Sequence, residues 1–380
     1  MVICFTLFKF NICMKPLKEI YNKAFFATFL IACKKIHSNI DSTHFLNEIF
    51  TVEWENYELK ERMNHITYVL HNYFNPNFFI AIQEIKELVC VLQKNNIQGG
   101  FAYLFIPNYV EVYGQEHCVE SIASFETITP FVSCEFAIRP FLKTNSDYVL
   151  TKMTKWSFHP NLHLRRLASE GCRPRLPWAM VLTEFKKNPN KILPILQNLL
   201  NDKELYVRKS VANNLNDISK DHKEVLICFT KKHYGKTNFT NWILKHANRN
   251  LLKQAEPEIL IIFGFGNTVE IDIQNFSINT STITLGNDLP FTFDVINHSK
   301  KPVSIRLEYA VYYVKKNGTL SKKIFQISEK EYTALQKTKV SKKQHFKPIS
   351  TRTYHSGIHK IAIIANGKEF NSLAFELQNV

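Results

Sequence analysis

LHLRRLASEG at residues 162–171 returns as LYVRKSVANN at 205–214, which puts Arg165 in register with Arg208 and Arg166 with Lys209, 43 residues on. In the first copy Leu162, Leu164, Leu167 and Ala168 recur at near-helical spacing. A weaker third copy, WILKHANRNLLK, spans 242–253. A period of about 40 residues built from paired helices belongs to a stacked helical repeat, in which each unit buries its apolar face against the next and the stack presents one concave side. If the second helix of each repeat offers its basic pair to that side, Arg165, Arg166, Arg208 and Lys209 make a track for phosphates. The ordinary alternative is solvated helix-end residues favoured by the macrodipole.

The first copy lies inside WSFHPNLHLRRLASEGCRPRLPW, residues 156–178, which gathers cations, one carboxylate and two indoles around Pro174 and Pro177. Gly171 is predicted to close the helix as a left-handed cap, and the prolines to hold Arg173 and Arg175 on a stiff segment that projects toward an anion, with Trp178 immediately after. Upstream, ATFLIACKKI (27–36), residues 46–74 and FFIAIQEIKELVCVLQKN (78–95) carry helical periodicity, broken at Asn75-Pro76-Asn77 and at Gly99-Gly100. Phe101–Tyr113 stays open between a loop and a short helix pair. Near Glu256-Pro257 the period changes from 3.6 to 2: VEIDIQNFSI, TITL, FTFDVINH, VSIRLEYAVYYVKKNG, KKIFQI, HFKPIS, IHKIAIIANGKEF and NSLAFEL predict about eight strands, with hairpins at Asn317-Gly318 and Asn366-Gly367. The expected architecture is mainly α, a HEAT-like helical-repeat solenoid over residues 14–257 followed by an immunoglobulin-like β-sandwich over 258–380. The basic strip from Lys337 to Lys347 could touch DNA or be a solvated loop.

The formal net charge is +15, and residues 151–255 hold 20 Lys and Arg against 7 Asp and Glu, so the field centres on the repeats. Such a field gathers polyanions. Nucleic acid is the commonest, and an acidic membrane or acidic protein answers to the same charge. Eight scattered cysteines without CxxC or zinc-type spacing imply reduced thiols in a cytoplasmic protein. Residues 1–13, MVICFTLFKFNIC, have the wrong order of charge and hydrophobicity for a secretory signal, and Met14-Lys15-Pro16 is the expected start, leaving 1–13 as a non-native or disordered extension. AFFATFLIAC (24–33) is too short to span a bilayer, so no membrane role is expected.

Three carboxylates stand out by their setting. Glu135, in FVSCEFAIRPFL (131–142), is predicted on an apolar helix face, either paired with Arg139 one turn on or aimed at a ligand. Glu170 falls at a helix C-terminus, where the dipole disfavours negative charge, four residues after Arg166. Asp217 has the type of a turn or cap residue, although Asp221 with Glu224 makes the better capping box. Trp178 could be core or a ligand contact, and Phe136 core or cleft lining. His159 and His163 lack metal-type partners and are taken as helix-entry residues. With no phosphate loop, dinucleotide fingerprint or metal cluster, no cofactor or metal is implied.

RRLASEGCRPRLPW (165–178), EFAIRPFL (135–142), VANNLNDISKD (211–221) and FKPISTRTYHSGIHKIAIIANGK (346–368) resemble the AlkC-type DNA alkylation repair glycosylases of the HEAT-like repeat superfamily. The resemblance covers essentially Met14 to the end. It implies hydrolysis of the N-glycosidic bond of cationic alkylated bases, such as 3-methyladenine and 3-methylcytosine, in duplex DNA; no lysine stands out as a Schiff-base nucleophile, so a monofunctional enzyme that leaves an abasic site is expected, acting as a monomer. It assigns Glu135, Glu170 and Asp217 to catalysis, and Trp178 and Phe136 to contact with the lesion. Arg166, Arg173 and Arg175, with Arg165, Arg208 and Lys209, would bind phosphates or position the acidic cluster, and the C-terminal domain would grip the duplex near the nucleoid. The rival class is a HEAT-repeat scaffold that binds DNA or an acidic protein without catalysis; an RNA-binding solenoid is the third.

Overall fold

The computed structural model of the chain describes residues 16–266, 270–349 and 352–378. The expected extension 1–13, the start at Met14, and Cys4, Cys13 and the Ser350-Thr351 step lie outside the described residues. Residues 17–262 form helices and 271–378 form strands. By packing, the chain divides into two compact units, one ending at Asp217 and the other beginning at Ile218.

Helix boundaries in the first unit follow local chemistry. Pro76 cannot sit inside a helix, and Asn77 Oδ1 accepts from the Phe79 N–H (2.9 Å), so the helix Phe78–Lys94 begins there and buries Phe78, Ala81, Ile82, Ile85, Leu88, Val89 and Leu92. The open segment resolves into a 3₁₀ turn, Phe101–Tyr103, and a helix, Phe105–Tyr113, which packs on Leu59–His71. The two residues before it must be glycine. A Cβ on Gly99 would stand 1.9 Å from the Phe131 carbonyl oxygen, and Gly100 has φ of 117°.

Two expectations are corrected here. Glu135 is not on a helix face; it lies in the turn ahead of the helix Ile138–Thr144. Gly171 is right-handed (φ −61°, ψ −34°), so its glycine is required by packing instead: a Cβ would meet Ile138 Cγ2 at 2.8 Å and Met153 Cε at 3.4 Å.

The 43-residue repeat has a structural cause. Arg165, on the helix Leu162–Glu170, donates through Nη1 to the carbonyls of His159 (2.9 Å) and Pro160 (2.8 Å); Arg208, on the helix Leu205–Ile218, donates through Nη1 to those of Asp202 (2.9 Å) and Lys203 (2.7 Å). Each arginine thus binds the loop that leads into its own helix. Arg165 also holds Asp202 with Nε at 2.6 Å and Nη2 at 3.2 Å, stapling one repeat to the next. Both were expected on the phosphate track, yet these donors serve the fold.

In the second unit the helices Lys223–His233, Asn238–Ala247, Arg249–Lys253 and Pro257–Ile262 precede β1 (Ile271–Ile278), β2 (Thr282–Thr284), β3 (Asp288–Asn297), β4 (Val303–Val314), β5 (Leu320–Tyr332), β6 (Lys337–His345), β7 (Gly357–Ala365) and β8 (Lys368–Gln378). They make a three-stranded sheet, β1-β3-β6, and a five-stranded sheet, β2-β8-β7-β4-β5. Phe291, Phe293 and Val295 of β3 share one core with Ile305, Leu307 and Val311 of β4 and Ile361 and Ile363 of β7. The β7–β8 hairpin turns at Asn366 (φ 47°) and Gly367 (φ 81°), the left-handed pair that a two-residue turn needs.

β6 corrects the reading of the basic strip. KTKVSKKQH is an edge strand paired along its length with β3, whereas HFKPIS leaves the sheet after His345. Gln344 turns inward and accepts from the Tyr309 hydroxyl (2.9 Å), while Lys337 pairs with Asp294 (3.2 Å) and Lys343 with Asp288 (2.8 Å). Lysines along an exposed edge discourage pairing with another chain. Among the described residues, no helix is long and apolar enough to cross a membrane, and the six cysteines are free.

Gly99→Ala is expected to lower stability by about 1–3 kcal/mol, because the added methyl must push the two backbones apart. Urea unfolding checks it; an unchanged midpoint would mean that the Gly99–Phe131 approach opens without cost.

Candidate active site

Asn161 Oδ1 accepts from the His163 N–H (2.8 Å) and starts the helix Leu162–Glu170. Its apolar side buries Leu164, Leu167 and Ala168 and thereby points Arg166 and Glu170 the other way, toward the turn that carries Glu135. After Gly171 the chain folds back and brings Arg173 against the same helix.

The result is a ladder of alternating charge: Glu135, Arg166, Glu170, Arg173, Asp217. Glu135 Oε2 accepts from Arg166 Nη1 and from the Ser133 hydroxyl (2.7 Å), and the same hydroxyl accepts from Arg166 (3.0 Å). Arg166 Nη2 lies 3.6 Å from Glu170 Oε1, which also accepts from Arg173 Nη1 at 2.7 Å. Arg173 Nε donates to Asp217 Oδ2 at 2.8 Å. Burial penalises both guanidinium cations, but the carboxylates outweigh it: Glu135 and Glu170 raise the pKa of Arg166, Glu170 and Asp217 that of Arg173.

The three sequence-derived carboxylates are therefore brought together, though unequally placed. Glu135 faces a cleft of about 430 Å³ lined also by Phe101, Phe131, Phe136, His163, Arg166 and Tyr206. Glu170 and Asp217 are 5% and 2% exposed, beneath Arg173. Asp217 lies within the helix Leu205–Ile218, not in a turn or cap. Arg173, expected to project toward an anion, is buried, because a pair of buried carboxylates holds it. Arg175 is half-buried and Lys209 exposed.

Arg139 does not pair with Glu135. Its Nη1 donates to the Gly171 carbonyl (3.0 Å) and its Nε to the Met180 carbonyl (2.8 Å), clamping both ends of the Arg173–Trp178 loop; burial pulls its pKa down to about 10. Inside that loop Trp178 is 64% exposed with φ of 64°, a conformation costly for a residue with a Cβ. The Trp178 carbonyl accepts from Lys60 Nζ, and that ammonium also lies over the Phe136 ring, 5.2 Å from its centroid. Trp156, the other indole, is core and donates to Glu126 (2.7 Å).

His163 is more than a helix-entry residue: it lines the cleft with Tyr206, their rings 5.9 Å apart. The signal was in the repeat, since the two stand in the same register, 43 residues apart. Burial, then the Arg166 charge, lowers the His163 pKa. Phe101, Lys60 and Ser133 had no sequence signal, because each reaches the site from a segment that does not repeat.

A DNA alkylation repair enzyme family model matches residues 116–251, and the model of a C-terminal Ig-like domain, that of the uncharacterised protein YhaZ, matches 272–379. YhaZ of Bacillus subtilis (strain 168) is 36% identical over 364 residues, covering 96% of this chain and all of that protein. Among solved structures, the Pseudomonas fluorescens alkylpurine DNA glycosylase AlkC, bound to DNA containing an abasic site analog, matches with a TM-score of 0.90 at 32% identity, over 96% of this chain and 99% of that one. Matched along nearly its whole length in both comparisons, and carrying both family domains in order, the chain belongs to the family of AlkC-type DNA alkylation repair glycosylases.

Proposed function

We propose that the protein is a monofunctional, monomeric DNA glycosylase that hydrolyses the N-glycosidic bond of cationic alkylated bases, 3-methyladenine and 3-methylcytosine among them, in duplex DNA. The observation that carries this is the Glu135 carboxylate, fixed by Arg166 and Ser133 at the wall of an aromatic cleft. A base alkylated at N3 already bears positive charge and leaves without a strong general acid. What it requires is negative charge near the sugar. Glu135 stabilises the oxocarbenium character as the bond lengthens and orients the attacking water.

Glu170 and Asp217 act through the arginines. Three carboxylates against two guanidinium groups leave the ladder formally negative, which favours a cation in the cleft. Their burial supports a positioning role, with Arg173 holding both. The exposed basic surface of the helical repeats, including Lys209, supports phosphate binding on a curved solenoid, with the sandwich gripping the duplex and offsetting the cost of bending it.

Wild-type protein is expected to release free base from duplexes carrying 3-methylcytosine or 3-methyladenine, and Glu135→Gln to slow single-turnover release by about 10²–10⁴-fold with little change in DNA affinity at fixed salt. Salt-sensitive binding with no base released by wild type would leave the non-catalytic scaffold as the reading. Arg173→Met removes the cation shared by two buried carboxylates and is expected to cost about 3–5 kcal/mol of stability. A urea midpoint equal to wild type would show that Glu170 and Asp217 do not depend on Arg173.

A further inference from the structure

Besides His163, four aromatic side chains line the cleft, Phe101, Phe131, Phe136 and Tyr206, and Trp178 meets it through its contact with Phe101. Two of them already meet a cation of the protein. Lys60 Nζ sits 5.2 Å from the Phe136 centroid, and the Arg166 guanidinium 4.7 Å from that of Tyr206. A cationic base brought to either ring would come up against a like charge as well as a π face. Phe131 is 7% exposed and its ring packs on Tyr103 (5.0 Å). Phe101 combines what none of these three does: it is 36% exposed, where Phe131 is buried, and its described ring contact is with Trp178 (edge to face, centroids 5.9 Å apart at 64°), where Phe136 and Tyr206 each face a cation.

The backbone holds Phe101 in register with the carboxylate. Gly99 lies against the Phe131 carbonyl, four residues before Glu135, at a distance no side chain could tolerate, and Gly100 takes the positive φ that turns the chain into the Phe101 turn. From the opposite side Arg139 and Lys60 fix the loop that presents Trp178. The two rings are thus supported independently, and both are anchored to segments that also hold the charge ladder.

We propose that Phe101 is a lesion-contacting residue: with Trp178 it forms an aromatic pair that receives the positively charged base, while Phe136, its ring shared with Lys60, shapes the cleft wall. This rests on the glycosylase reading for its substrate class but not for its measurement. The ligand is a planar cation the size of a nucleobase. Selectivity for it over the uncharged base comes from the ring quadrupoles, and Phe101 adds a second ring to the one that Trp178 offers.

The test uses the full chain and the nucleoside 3-methylcytidine, a cation at neutral pH, against uncharged cytidine, with binding read by tryptophan fluorescence or calorimetry and base release read in parallel on lesion-bearing duplex. Wild type is expected to prefer 3-methylcytidine, and Phe101→Ala to lose about tenfold of that preference, weakening 3-methylcytidine far more than cytidine while affinity for undamaged duplex holds. Phe101→Leu, which keeps apolar area without a π face, is expected to behave as Phe101→Ala, and Phe101→Tyr to retain the preference. If Phe101→Leu matches wild type, or if Phe101→Ala weakens both nucleosides equally, the proposal is overturned. Nucleoside preference that depends on Phe101 in a protein that releases no base would uphold the aromatic pair and sink the glycosylase reading instead.

Discussion

Two arginines shared among three carboxylates fix the centre of this molecule. Moving a carboxylate out of water without a partner costs several kcal/mol, and Arg173, lying between Glu170 and Asp217, offsets that cost for both. Arg166 then carries the pattern outward to Glu135, which alone of the three lines the cleft. The helix Leu162–Glu170, the turn before Ile138 and the helix Leu205–Ile218 must each stay in place for the pattern to close. Chemistry at the cleft and stability of the interior therefore rest on the same ion pairs.

Around that centre, the loop between Gly171 and Met180 is held by groups outside it. Arg139 binds a carbonyl at each end and Lys60 a third at Trp178. These anchors offset the left-handed backbone at Trp178, which a residue with a Cβ adopts only when its surroundings enforce it. An exposed indole kept in one orientation loses little entropy on meeting a ligand.

Much of this was legible in the sequence. Helical periodicity, the 43-residue repeat and the switch to alternating strands are patterns of apolar burial, and burial is what residue type records best. The carboxylates could be picked out because an acid at a helix end or among apolar neighbours is costly and calls for a partner. Their partners could not. Spacing offers Arg139 as one partner for Glu135, but spacing assumes a helix, and the turn at residues 135–137 lets Arg166 reach Glu135 from 31 residues away. β6 was hidden because lysines at solvent-facing positions dilute the alternation that marks a strand, leaving Val340 and Gln344 as its inward signal. Arg165 and Arg208 recur at one register, and recurrence alone does not separate a phosphate track from what the structure gives both, a loop clamp made twice.

That clamp bears on how such a chain can lengthen over time. Each arginine reaches carbonyls five and six residues before it, so a segment copied within the gene brings its own loop support with it and folds on the same terms as its parent. What a new copy must acquire is one acid in the place of Asp202, where one repeat meets the next. Growth by duplication then carries the loop support along, while each junction has to be built anew, as Ser210 and Asn214 meet Ser169 beside that acid here.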